Sequence, residues 1–158
     1  MDIEKKLTEL GLSLPPMPVP AANYVPVVQT GNLLFVSGHG PAVVQDGKTQ
    51  YIRGKLGKDM TVEQGYEAAK QVTLNILQSI KGEIGDLDKV RRVVKILGFV
   101  NCTEDFLDQP KVLNGASDLL VALYGERGRH ARSAVGMYQL PFGIAVEIEM
   151  VVEVQEEG

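Results

Sequence analysis

Two long stretches of the chain repeat apolar residues at spacings of three and four, while others alternate them or run them together. Between Val62 and Lys81, the residues Tyr66, Ala69, Val72, Ile76 and Ile80 fall on one helical stripe, as in a helix with one face in a core. Thr61 and Gln64 have the spacing of a capping box at its start, and Gly82 supplies a stop. Asp108 is placed to cap a second helix, with Pro110 tolerated in its first turn and Gly125 just past its end. Its buried face is Val112, Leu113, Ala116, Leu119, Leu120 and Leu123. A short N-terminal helix, Ile3 to Leu10, sets Ile3, Leu7 and Leu10 on one side and ends at Gly11.

The remaining apolar segments read as strands. Val25, Val27 and Gln29, the turn Thr30-Gly31-Asn32 and then Leu33 to Gly38 predict a hairpin. Residues 42 to 58 are rich in Gly and Lys and predict one short strand at Tyr51-Ile52-Arg53. Val90 to Val100 reads as a central strand. Ser133 to Leu140 and Gly143 to Val154 read as a closing hairpin across Pro141-Phe142-Gly143. The order hairpin, helix, strand, helix, hairpin predicts an α+β fold, a mixed β-sheet with two main helices packed on one face. Segments such as Val93-Val94-Lys95-Ile96-Leu97 are apolar on both faces. The uncovered face is therefore expected to meet another copy of the chain.

Composition adds bounds to this picture. The 158 residues suit one domain with a sizeable core. The segment Pro15-Pro16-Met17-Pro18-Val19-Pro20 cannot be helix or central strand. Residues 1–20 are thus read as a helix and Pro-rich extension clipped onto a domain of residues 21–158. A net charge of −4 argues against a nucleic-acid partner. The lone Cys102 permits no internal disulfide, and the N-terminus is not basic then apolar, so a reducing, cytoplasmic setting is expected. No apolar run reaches the roughly 20 residues that cross a bilayer.

Candidate chemistry concentrates near the C-terminus. Arg132 opens a strand and could grip a carboxylate through two parallel hydrogen bonds; an arbitrary Arg near a strand end is more often simply solvated. Glu147 and Glu149 share one strand face. Most glutamates alternating with Ile and Val are half-exposed, but a sheltered one could orient a water or exchange a proton. His39, in Ser37-Gly38-His39-Gly40-Pro41, reads as a solvated turn histidine, and Cys102 as a small packing residue. The only other histidine is His130, and no cluster has metal-ligand spacing, so no metal is expected.

Taken together, Tyr24, Phe35-Val36-Ser37-Gly38, Asn114, Arg132-Ser133, Leu140-Pro141 and Val146-Glu147-Ile148-Glu149 resemble the RidA (YjgF) family, also called endoribonuclease L-PSP-like. The resemblance runs from about Tyr24 to Val154 and points to the longer subgroup of about 150 residues. It implies a chorismate-mutase-like fold and a homotrimer with a barrel-like core and clefts between subunits. It also implies an enamine/imine deaminase, a hydrolase that turns small 2-imino acids into 2-keto acids and ammonia without a cofactor. Arg132 would hold the substrate carboxylate and Glu147 would place the attacking water. Tyr24, Ser37, Gly38, Asn114 and Ala134 would complete the substrate-binding site. Deaminase members carry Cys where this chain has Ala134, Glu where it has Gly136, and a charged pair at Phe142-Gly143. A non-catalytic trimer that binds a small carboxylate is the alternative. RNA cleavage or translation inhibition is a third reading, which the acidic charge weighs against.

Overall fold

The computed structural model describes residues 2–17, 19 and 22–156. The chain runs α1 (Ile3–Glu9), β1 (Val27–Thr30), β2 (Leu33–His39), β3 (Ala42–Gln45), β4 (Lys48–Tyr51), α2 (Val62–Ile84), β5 (Val90–Asn101), α3 (Gln109–Tyr124), β6 (Ala131–Met137) and β7 (Val146–Val154). It is an α+β fold, in which a mixed five-stranded sheet in the order β1-β2-β7-β5-β6 packs one face against α2 and α3. A two-stranded ribbon of β3 and β4 stands apart.

Local chemistry accounts for most boundaries. Thr61 Oγ1 accepts from the Gln64 N–H while Gln64 Oε1 accepts from the Thr61 N–H, closing the capping box that opens α2. That helix runs through Gly82 and stops at Gly85, whose φ of 84° is the left-handed conformation of a helix end. Gly82 instead makes room for Met17: a β-carbon there would lie 2.8 Å from Met17 Cε. Asp108 starts α3 without a side-chain cap bond, and Pro110 occupies the first turn. All six apolar residues of the expected α3 face are buried. Where α2 crosses α3, Gly115 lets the helices touch, since a β-carbon would meet the Tyr66 carbonyl oxygen at 2.0 Å.

Two strand expectations and one helix expectation need correction. The last two strands are not a hairpin. β6 pairs in parallel with β5, a strand–helix–strand crossover through α3, and β7 inserts between β2 and β5. The reason is burial: every second residue of β7, from Val146 to Val154, is buried, whereas β6 exposes most of its side chains and suits an edge. The segment 42–58 holds a full hairpin, β3–β4, whose turn residues Asp46 and Gly47 both have positive φ (51° and 72°), as a two-residue primed turn requires. Ile52 and Arg53 lie beyond it, with Arg53 bridging Ile144. Leu10, expected on the buried side of α1, is exposed, while Ile3 and Leu7 join the core. Pro18 and Pro20 of the Pro-rich segment lie outside the described residues.

The sheet has two unlike faces. Leu34, Val36, Ile96, Ile148 and Met150 turn toward the helices and are buried. The opposite face presents Val28, Phe35, Leu97, Phe99, Val135 and Met137, all at least partly exposed, among charged residues.

Candidate functional site

The site builds up from an irregularity in β2. Val36 pairs with Met150 and His39 with Ile148, three residues of β2 against two of β7. This bulge reverses the alternation of facing sides. It carries His39 toward the helices, where the ring is only 8% exposed. Its Nδ1 lies 2.6 Å from the Ser37 carbonyl oxygen and its Nε2 2.8 Å from Ser79 Oγ on α2. A carbonyl can only accept, so Nδ1 carries the proton and Nε2 accepts from the serine hydroxyl. His39 is therefore a buried structural histidine, contrary to the solvated turn residue the sequence suggests. Burial is also the main reason its pKa is lowered.

The same bulge leaves Gly38 against Glu147. The Glu147 carboxylate is half-buried, and among the described residues no hydrogen bond or ion pair reaches it. Loss of water raises its pKa, and the neighbouring Glu149 charge raises it further. Glu147 borders a cavity of about 190 Å³, which Tyr24, Gly38, Tyr51, Phe142 and Ile144 also line. Of the expected site residues, Tyr24, Gly38 and Glu147 meet here. Ser37 lies nearby on the open face, in a depression with Phe35, Lys95 and Glu149. Its hydroxyl donates to the Val25 carbonyl at 2.7 Å, fixing the segment that leads into β1.

Arg132, Asn114 and Ala134 form a second cluster at the β6 edge. Arg132 pairs in register with the buried Ile96, so it leaves the sheet on the helix side, whereas Glu147 pairs with Phe99 on the open side. A single chain thus keeps Arg132 and Glu147 on opposite faces. Arg132 Nη1 donates to Asn114 Oδ1 at 2.9 Å and to Ser117 Oγ at 3.1 Å. Both acceptors are neutral, and among the described residues no carboxylate pairs with this guanidinium. Ser117 Oγ also lies 2.8 Å from His130 Nε2, and His130 Nδ1 is 2.7 Å from the Gly128 carbonyl oxygen. The serine hydroxyl therefore donates to His130 while accepting from Arg132. Burial lowers the His130 pKa, and the Arg132 charge adds to that.

An unneutralised guanidinium held by neutral acceptors can receive a carboxylate, and an unpartnered carboxylate with a raised pKa can exchange a proton with a bound water. Among the described residues no group of three His, Cys, Asp or Glu could hold a metal ion, and no helix is long and apolar enough to cross a membrane. Cys102 is buried in the core, as its packing role predicts. Sequence reasoning missed Tyr51 and Ile144 as cavity residues. Phe142 was visible in it only as a departure from a charged pair.

Residues 4–153 match the family described as "YjgF/chorismate mutase-like, putative endoribonuclease". The chain is a member of the YjgF (RidA) family. It is 45% identical over 152 residues to Protein TCP17 of Trypanosoma cruzi, covering 96% of this chain and 93% of that one. The crystal structure of Atu1372 from Agrobacterium tumefaciens, a protein of unknown function, superposes with a TM-score of 0.87 at 46% identity, covering 97% of this chain and 92% of the other. RidA from the Antarctic bacterium Psychrobacter sp. PAMC 21119 superposes with a TM-score of 0.60 at 27% identity, over 87% and 94% of the two chains. YjgF membership accounts for the chain order of the resemblance noted in the sequence.

Proposed function

We propose that this YjgF-family protein is a homotrimeric enamine/imine deaminase whose clefts form where Arg132 of one protomer faces Glu147 of the next. The observation that carries the reading is the pair of unsatisfied charges: among the described residues, Arg132 has no carboxylate partner and Glu147 has no donor. They leave opposite faces of one sheet, so a site using both draws them from two copies. The half-exposed apolar row from Val28 to Met137 on the open face supports self-association.

In this mechanism Arg132 receives the substrate carboxylate in its planar fork, with Asn114 and Ser117 fixing the fork. Glu147 accepts a proton from a water that adds to the C=N carbon. Glu147 returns that proton to the nitrogen, giving a carbinolamine; as the C–N bond breaks, the carbinolamine hydroxyl proton passes through Glu147 to the leaving nitrogen, so that ammonia departs and a 2-keto acid remains. One imine and one water give one ketone and one ammonia, and no electrons are exchanged. An imine is already electrophilic, so orientation and one placed water supply most of what is needed. The test is release of ammonia and pyruvate from freshly generated 2-iminopropionate. The expected result is acceleration over buffer that disappears in Arg132→Ala. No acceleration across several 2-imino acids would eliminate the catalytic reading.

A second reading, a trimer that binds a small carboxylate without turnover, is favoured by Ala134 and Gly136. They leave the Arg132 face of β6 with no further titratable side chain. Calorimetric binding of pyruvate without hydrolysis of any imine would select it. Sedimentation velocity tests the shared premise: a trimer is expected, and Phe35→Asp is expected to break it up.

A further inference from the structure

Glu147 shares its cavity with two aromatic rings from distant parts of the chain. Tyr51, the last residue of β4, and Phe142, in the turn before β7, stack with centroids 6.0 Å apart and planes 18° from parallel. Phe142 holds this place at φ 61°, the left-handed region that bulky side chains avoid. Burial does not compensate it, because Phe142 is 63% exposed.

The turn that imposes this conformation is tied down on both sides. The Gly54 N–H donates to the Gly143 carbonyl at 3.1 Å, the Gly143 N–H to Leu140 at 3.0 Å, and the Ala145 N–H to Ile52 at 3.1 Å. Asn101 Nδ2 adds bonds to Gln139 Oε1 at 2.9 Å and the Ile144 carbonyl at 3.0 Å. Strain held in place by its surroundings is typical of positions that clamp a ligand.

Other polar side chains around the cavity are already engaged. Asn75 Nδ2 donates to the Gly40 and Ala42 carbonyls, both at 3.0 Å, and both ring nitrogens of His39 are bonded. Among the described residues, what remains free is the Glu147 carboxylate with the hydroxyls of Tyr24 and Tyr51, set in a wall that includes Pro26, Pro141 and Ile144. Away from those three groups the wall is apolar and aromatic, a surface suited to an apolar side chain. Its volume is about 190 Å³, and an apolar cavity of roughly 150 Å³ already accepts benzene.

We propose that the Tyr51–Phe142 wall receives an aromatic side chain, so that the preferred ligands are aryl-bearing 2-imino acids and the 2-keto acids they yield. This rests on the deaminase reading above and names the substrate class of that site. The reaction is unchanged: water adds at the C=N carbon, ammonia leaves, and the aryl group only sets which substrate is held.

The test compares imines released in situ by an amino-acid oxidase from phenylalanine and from alanine. The expected kcat/KM ratio favours the phenylalanine-derived imine by about tenfold or more. Phe142→Asn keeps a residue that tolerates left-handed backbone and is expected to bring that ratio near unity, as is Tyr51→Thr. A wild-type ratio at or below unity, or one that both variants leave intact, overturns the proposal. If no imine is hydrolysed, the deaminase reading fails on its own, and calorimetry with phenylpyruvate and pyruvate then decides this one. Tighter phenylpyruvate binding that Phe142→Asn abolishes sustains the aromatic pocket; equal affinities overturn it.

Discussion

The Glu147 carboxylate packs directly against Gly38: a β-carbon on that glycine would lie 2.8 Å from Oε2 and 3.1 Å from Cδ. The obstacle is the far end of a flexible side chain, so Gly38→Ala is expected to fold with stability changed by no more than about 1 kcal/mol. The carboxylate, however, must move. A displacement near 1 Å in a catalytic group costs on the order of 10²-fold, and imine hydrolysis by Gly38→Ala is expected to fall by that order in a steady-state assay.

Glu147 holds its charge at a cost to the fold. Its folded pKa is raised, so the native state binds more protons than the unfolded chain between the ordinary glutamate value of 4.5 and the folded one. This contribution to stability is therefore lost as pH rises through that window. Glu147→Gln is expected to abolish turnover and yet raise stability at pH 7, by an amount on the order of 0.5–2 kcal/mol. Urea denaturation at pH 7 alongside the activity assay checks both halves. A destabilised Glu147→Gln would contradict the burial argument.

Arg132 lies between Asn114 and Ser117, which set the plane of its guanidinium. Arg132→Lys keeps the charge but not the fork. Both Arg132→Lys and Arg132→Ala are expected to weaken carboxylate binding, the alanine variant by about 1.5–3 kcal/mol. Titration with pyruvate reads the loss, and an unaffected Kd in both variants would remove Arg132 from the site.

Both histidines carry lowered pKa values, chiefly through loss of water around the buried His39 and the half-buried His130. The unfolded chain then binds more protons than the native one below the ordinary value of 6.5. Stability is full above about that pH and declines as pH falls toward the folded values. Denaturation midpoints are expected to drop between pH 7.5 and pH 5, and His130→Gln is expected to flatten part of that slope.

The α2–α3 crossing tests the core without touching the site. In Gly115→Ala the new methyl would meet the Tyr66 backbone oxygen at 2.0 Å, and a backbone atom cannot rotate away. Destabilisation of at least about 1–3 kcal/mol is expected, read as a lowered Tm.

Helices were the legible part of this chain, because their signals are local. The Thr61–Gln64 capping box and the apolar face from Val112 to Leu123 depend on neighbours within one or two turns. Gly82 misled because its purpose is contact with Met17, sixty-five positions away in sequence. The Asp46-Gly47 turn carried an ordinary hairpin signal, hidden because the strands that flank it are short and never buried. The β6–β7 arrangement was not legible, since nothing within either segment states which strand it will pair with. His39 likewise turns inward only because of a bulge that depends on β7. In the site, Arg132 and Glu147 could be singled out as charges in strands. Their placement on opposite faces followed only from register.

Because β7 occupies the middle of the sheet and yet comes last of the strands, β2 and β5 have no shared neighbour until residues 146–154 have been synthesised. A nascent chain halted before that segment would leave two ribbons with open inner edges and a helical layer resting on half a platform. Synthesis must therefore pass residue 154 before the architecture can close, and the stretch that closes it also delivers Glu147.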